Sequence, residues 1–211
     1  MDLRGHGNSP PIGSIATAES LAADVADTLA SLEIESIDAL IGHSLGAAVA
    51  MELAHSRPGL ALRLVVEDPP GQTRADDIEF QRNLERDVHE ARRDQGAEVQ
   101  RELAENPRWL PEDASQDVEG RALCDLDGIL ASLRANTGVR APELASQLQV
   151  PALYLIADPE RSALGTQRRT LIESLPTGSM AIESDSGHTI HRDRFEDYTA
   201  TVVEWLRAAV I

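Results

Sequence analysis

Apolar positions recur along the chain at two periods, and their alternation is the first structural signal. Leu21, Val25, Leu29 and Leu32 return at helical spacing over residues 17–32. Thr17 is placed to cap that helix, and Glu19 sits in its first turn, where the helix dipole favours an acid. A short strand is predicted at 36–41, followed by an Ala-rich helix over 45–57 that stops before Pro58. A second strand is expected over 60–66. The continuous apolar run Val-Pro-Ala-Leu-Tyr-Leu-Ile-Ala at 150–157 has the pattern of a parallel strand buried on both faces. A helix at 166–175, a strand at 179–183 and a helix at 192–209 complete the pattern, the last with Phe195, Tyr198, Val202, Trp205 and Leu206 on its apolar face. Strands alternating with helices predict an α/β fold: a mostly parallel sheet flanked by helices.

Residues 72–145 break this rhythm. They are crowded with Arg, Glu, Asp and Gln, and carry helical stripes such as Phe80/Leu84/Val88 and Val99/Leu103. The expected organisation is therefore a core in two pieces, 1–71 and 146–211, interrupted by a helical insertion at 72–145.

Composition narrows the function. The 211 residues carry 36 acidic and 19 basic side chains, a formal charge of −17. Such a surface repels phosphate backbones and anionic lipids, so neither nucleic acid nor membrane is an expected partner. The single cysteine, Cys124, excludes an internal disulfide framework and a Cys-based zinc site. With no basic-then-apolar leader and no apolar run of membrane-spanning length, the expected location is cytoplasmic.

The sharpest chemical signal is Gly42-His43-Ser44-Leu45-Gly46, between a predicted strand and a predicted helix. G-x-S-x-G arises often by chance; the strand-to-helix context is what gives it the meaning of a nucleophile elbow. The tight turn leaves no room for neighbouring Cβ atoms and exposes the serine hydroxyl, while the Leu45 N–H at the helix start faces a developing oxyanion. A serine needs a base and an orienting acid. His188, in Asp-Ser-Gly-His-Thr-Ile-His at 185–191, lies in a loop after the last strand, where ligands gather in parallel sheets. His191 competes, but is expected to have entered the next helix in a structural or substrate-facing role. Three carboxylates compete for the acid. Asp158 follows strand 150–157 directly and is placed first; Glu160 lies two residues on; Asp68 ends the strand before it. Asp-Pro is also a common turn opener. The order Ser44, Asp158, His188 is that of the α/β-hydrolases.

Here the chain resembles the α/β-hydrolase superfamily over nearly its whole length. Asp2-Leu-Arg-Gly-His-Gly-Asn-Ser9 resembles the D-x-R-G-x-G-x-S stretch after the family's fourth strand. GHSLG resembles the elbow, LYLIADP the penultimate strand with its acid, and SGHTIH the histidine loop. The charged insertion resembles the family's cap. The resemblance implies an α/β-hydrolase fold and a serine hydrolase, first of all for a small carboxylic ester, with thioesters, lactones and C–C bonds open. Serine at position 44 argues against epoxide hydrolases and dehalogenases, which carry aspartate there. No cofactor or metal is implied; the partner is a small-molecule substrate. Apolar cap residues such as Phe80, Trp109, Leu110, Leu126 and Leu130 suit an apolar acyl or alcohol group, or simply helix packing.

One departure stands out. Family members place several strands before D-x-R-G-x-G, with a loop that supplies a second oxyanion donor. This chain opens at Met1-Asp2. The expectation is thus an N-terminally truncated fold whose strand 36–41 has an uncovered edge open to self-association. The rival reading is a catalytically impaired homologue, or a ligand-binding module, without a complete oxyanion hole.

Overall fold

The computed structural model describes residues 1–71, 78–135 and 140–208. Four strands, β1 (Leu40–His43), β2 (Leu64–Glu67), β3 (Ala152–Ile156) and β4 (Met180–Glu183), form one sheet in sequence order, with every pair parallel. The helices joining and following them are α1 (Ala18–Ser31), α2 (Leu45–Ser56), α7 (Ala141–Gln147), α8 (Arg168–Ser174), α9 (Ile190–Asp193) and α10 (Phe195–Arg207). Between β2 and α7 lie α3 (Ile78–Arg93), α4 (Gln95–Glu105), α5 (Pro111–Leu123) and α6 (Leu126–Ala135).

The strand alternation builds a core on each side of the sheet. Leu64 and Val66 of β2, with Ala152, Tyr154 and Ile156 of β3, pack with the Ala-rich face of α2 and with α7 and α8. Val65, Leu153 and Leu155 point the other way, onto Ile190 of α9 and Val202 of α10. β2 and β3 are wholly buried, as the apolar runs Leu64–Val66 and Ala152–Ile156 require, with Glu67 the one charged residue among them.

The structure divides into two compact units. One holds the sheet with α1, α2 and α7–α10. The other combines residues 1–17 with α3–α6, whereas the sequence reading placed 1–71 together and ran the insertion to 145. The reason is local bonding. Asp125 accepts from Ile12 N–H and donates its own N–H to Gly5 O (2.8 Å each), and Ser132 Oγ accepts from Ala16 N–H at 2.9 Å. α7 belongs to the sheet because Ala141, Leu144 and Ala145 are buried in its core. Within the helical unit, Leu126 and Leu130 pack against Val88 and Cys124, while Phe80 and Leu110 are about half exposed.

Two elements differ from the sequence pattern. The strand expected at 36–41 begins at Leu40 and runs through Gly42 to His43; before it only Ile37 forms an isolated bridge, to Ala61. Within it Ile41 is 49% exposed. The helix expected at 192–209 starts earlier, at Ile190, and breaks at Arg194, whose guanidinium turns to the Asp185 carbonyl at 3.0 and 3.1 Å. Residue 209 lies outside the described residues. Among the described residues no helix is long and apolar enough to cross a membrane.

Candidate active site

Strand register brings the chemistry together. His43 pairs with Glu67, Glu67 with Leu155, and Leu155 with Ile182, so the carboxyl ends of all four strands are level. Ser44 and Asp68 each come one residue later, and the loop holding His188 leaves β4 on the same edge.

Ser44 has φ 51° and ψ −121°, a left-handed conformation that a non-glycine residue adopts at a cost of about 1–3 kcal/mol. Its N–H donates to Glu67 O at 3.0 Å, and its carbonyl accepts from Ala47 and Ala48 N–H. Serine at a helix start ordinarily caps it with the hydroxyl. Here the Ser44 hydroxyl makes no cap bond. Gly42 is a steric necessity: a Cβ there would lie 2.3 Å from Gly46 O and 2.7 Å from Ala47 N. Gly46 is different, since a Cβ at that position meets nothing within 4 Å. The motif's first glycine thus carries the close approach. Leu45 opens α2, so its N–H belongs to the first turn, whose donors have no partner within the helix.

The carboxylate that meets His188 is Asp68. Its Oδ2 lies 2.6 Å from His188 Nδ1. Oδ2 also accepts from Ala163 N–H at 2.8 Å, and Oδ1 from Ser162 Oγ at 2.6 Å and Ala157 N–H at 3.2 Å. The Asp68 side chain is fully buried. Burial pushes its pKa up, but the His188 bond and the three other donors outweigh it and hold the carboxyl below its usual 3.8. Asp68 is therefore an anion at neutral pH. Because its Nδ1 proton faces a carboxylate, neutral His188 carries its lone pair on Nε2, the tautomer a general base needs.

Asp158, placed first by the sequence, is not brought to His188. Its Oδ1 accepts from Glu160 N–H at 2.9 Å and its carbonyl from Arg161 and Ser162 N–H, which makes it the opening residue of a turn. That turn delivers Ser162 and Ala163 to Asp68. Glu160 is exposed. Gly71 allows the turn to approach: its N–H donates to Ala163 O at 2.9 Å, and a Cβ there would stand 2.5 Å from Leu164 O.

A second carboxylate–histidine pair escaped the sequence reading. Glu67 is 1% exposed and accepts from His191 Nδ1 (2.9 and 3.0 Å) and from His191 N–H (2.9 Å). The Tyr198 hydroxyl bonds the same carboxylate; burial, then that carboxylate's charge, raises the phenol pKa. His43 completes the cluster, with its ring centroid 4.6 Å from that of His188 and 5.2 Å from that of His191. Burial, with His188 and His191 nearby, lowers the His43 pKa from 6.5 to about 4 against the opposing charge of Glu67. The available signal was the adjacency of Glu67 and Asp68 at a strand end, paired with the i, i+3 spacing of His188 and His191. Despite three neighbouring imidazoles, no group of three or more His, Cys, Asp or Glu among the described residues is arranged to hold a metal ion.

Comparison with known proteins agrees with this geometry at the level of the fold and family. The chain is 26% identical over 222 aligned positions to the sn-1-specific diacylglycerol lipase ABHD11 of Danio rerio, covering 98% of this chain and 68% of that protein. A thermophilic esterase from Thermogutta terrifontis superposes with a TM-score of 0.68 at 25% identity, covering 98% of this chain and 78% of the esterase. The enol-lactonase from Burkholderia xenovorans LB400 shares the fold with a TM-score of 0.73 at 22% identity, over 98% and 79% of the two chains. The model of the alpha/beta hydrolase family matches residues 1–202, nearly the whole chain. By that match the protein belongs to the alpha/beta hydrolase family.

Proposed function

We propose that the chain is a serine hydrolase that cleaves a small carboxylic ester through an acyl-enzyme. Ser44 Oγ attacks the ester carbonyl as its proton passes to His188 Nε2, and Asp68 holds the imidazole and stabilises the imidazolium. The carbonyl oxygen, now an alkoxide, is received by the Leu45 N–H. Collapse of the tetrahedral intermediate breaks the C–O bond to the alcohol, which leaves with the proton from His188. Water then repeats the sequence on the acyl-Ser44 ester, returning the enzyme and a carboxylic acid. No step requires a cofactor.

The observation that carries this reading is the pairing of a strained, uncapped serine with a 2.6 Å carboxylate–imidazole bond on the neighbouring strand end. Resemblance to a lipase and an esterase favours esters over other acyl substrates. The test is a fluorophosphonate probe followed by peptide mass spectrometry, beside a panel of p-nitrophenyl esters of graded chain length. Ser44 is expected to take the label, and Ser44→Ala to lose label and turnover together while remaining folded. A folded chain that labels elsewhere, or not at all, refutes the proposal.

A further inference from the structure

Besides the Arg194 and Asp68 bonds, three contacts on the backbone of residues 186–188 hold the loop that carries His188. Ser186 O accepts from Asp158 N–H at 3.1 Å, and Gly187 N–H donates to Asp193 Oδ2 at 2.6 Å. The third comes from the nucleophile motif itself: His43 Nε2 lies 3.1 Å from His188 O. A carbonyl only accepts, so His43 must donate, and its proton is on Nε2. Because the imidazole is neutral, Nδ1 carries the lone pair. The bond joins the end of β1, one residue before the serine, to the backbone of the histidine proposed as its base.

His43 is itself braced. His191 meets its ring edge-on at 5.2 Å, with an interplanar angle of 72°. His191 cannot swing away, because both its Nδ1 and its backbone N–H are bound to buried Glu67. Tyr198 fixes Glu67 in turn and lies edge-on to His191 at 5.9 Å. Glu67 is also the β2 partner of His43 in the sheet. The His43 ring thus neighbours both carboxylate–histidine pairs, Glu67–His191 and Asp68–His188.

We propose that His43 is a positioning residue of the hydrolase: its Nε2–H fixes the His188 backbone relative to Ser44, and the Glu67–His191–Tyr198 cluster keeps its ring in place. This rests on the serine-hydrolase reading for its catalytic consequence, but not for the bond itself. Proton transfer between serine and histidine demands placement within a fraction of an ångström, and a 1 Å error costs up to about 10²-fold. A donor from the residue preceding the nucleophile couples the two partners over a short path.

Two substitutions of similar length separate the bond from the bulk. Gln places an amide N–H near the position of His43 Nε2; Met fills similar space with no donor. The inference predicts that His43→Met lowers kcat by about tenfold or more with KM little changed, and that His43→Gln recovers most of the loss. A second readout is independent of turnover: the downfield ¹H resonance of the His188 Nδ1 proton, assigned by its loss in Asp68→Ala. It is expected to persist in wild type and His43→Gln and to broaden away in His43→Met. Retention of both kcat and the resonance in folded His43→Met overturns the inference. Equal loss in His43→Met and His43→Gln overturns it as well, because the ring and not its donor is then what matters. If wild type neither labels at Ser44 nor turns over ester, the serine-hydrolase reading fails, and the resonance still decides whether His43 positions His188.

Discussion

Asp68→Asn is the substitution from which the site predicts most. Asp68 receives four donors, two on each oxygen, so the new amide must turn its NH2 toward one pair. Turned to the Oδ2 side, it opposes both the Ala163 N–H and the His188 Nδ1–H. Turned to the Oδ1 side, it opposes the Ala157 N–H, already the longest of the four bonds at 3.2 Å, and the Ser162 hydroxyl, which rotates to accept. The second arrangement is preferred. It leaves one buried backbone N–H unsatisfied, at a cost of about 1–3 kcal/mol in stability, and keeps the His188 tautomer.

What the second arrangement cannot keep is the charge. An anion about 4 Å from a forming imidazolium contributes about 4 kcal/mol at an effective dielectric near 20. That corresponds to about 10³ in rate, rising toward about 10⁴ if the tautomer is lost as well, the loss known from the serine proteases. Asp158→Asn, by contrast, keeps an oxygen for the Glu160 N–H and gives up only a 4.0 Å ion pair with Arg161. Its kcat is expected within a few-fold of wild type, and Glu160→Gln should be silent. The assay is kcat on a p-nitrophenyl ester near neutral pH, with circular dichroism and urea midpoints to confirm folding. A larger loss in Asp158→Asn than in Asp68→Asn would refute the assignment of the acid.

Gly42→Ala puts a Cβ into the backbone of the α2 start and is expected to cost about 1–3 kcal/mol and most of the activity, whereas Gly46→Ala, which meets nothing, should fold normally; urea titrations distinguish them. Ser44→Gly removes the penalty of a side chain at φ 51° and is expected to raise the urea midpoint while abolishing ester turnover; an unchanged or lower midpoint contradicts the strain assigned to the elbow. His43 has its pKa lowered from 6.5 to about 4 by burial and by His188 and His191, with Glu67 opposing, so between those values the unfolded chain binds the proton and the folded one does not. Stability from this residue is complete above pH 6.5 and falls as the pH drops toward 4, by about 2 kcal/mol between pH 7.5 and 5. His43→Gln should be flatter than wild type by that amount in urea unfolding at the two pH values.

Much of the fold was legible because parallel strands and their helices write themselves as period and apolarity. Strand 152–156 and helices 18–31 and 45–56 all lie within a few residues of the pattern. Ser44 and His188 could be found because both are marked by local glycines and by position at a strand end. The choice among acids could not be made that way. Asp68 and Asp158 follow adjacent strands at nearly equal depth, and which reaches the histidine depends on the path of a five-residue turn. That turn closes on Asp158 and presents Ser162 and Ala163, residues with no distinctive sequence signature, to Asp68. The grouping of residues 1–17 with α3–α6 was hidden for a similar reason, since it rests on Asp125 and Ser132, more than a hundred residues away.

Backbone strain gives an independent reason to place the acid at Asp68. Among the described residues, three besides glycine have positive φ: Glu33, Ser44 and Asp68. Glu33 is accounted for by the end of α1, where the Ile34 N–H reaches back to Leu29 O at 2.9 Å in a Schellman-type closure. The other two have no helix C-terminus to explain them. They follow directly on His43 and Glu67, which face one another across β1 and β2, so two left-handed residues sit side by side where the strands leave the sheet. Such conformations persist only where the surroundings fix them. Here each is pinned by the next strand, Ser44 N–H on Glu67 O and Asp68 N–H on Leu155 O. At φ 37° the Asp68 carboxylate meets donors from the end of β3 and the turn beyond it. Asp158 has no positive φ, and its carboxylate accepts within its own turn. A residue held against its backbone preference, fully buried and given four donors is one whose placement the fold enforces, and the group it presents that carboxylate to is His188.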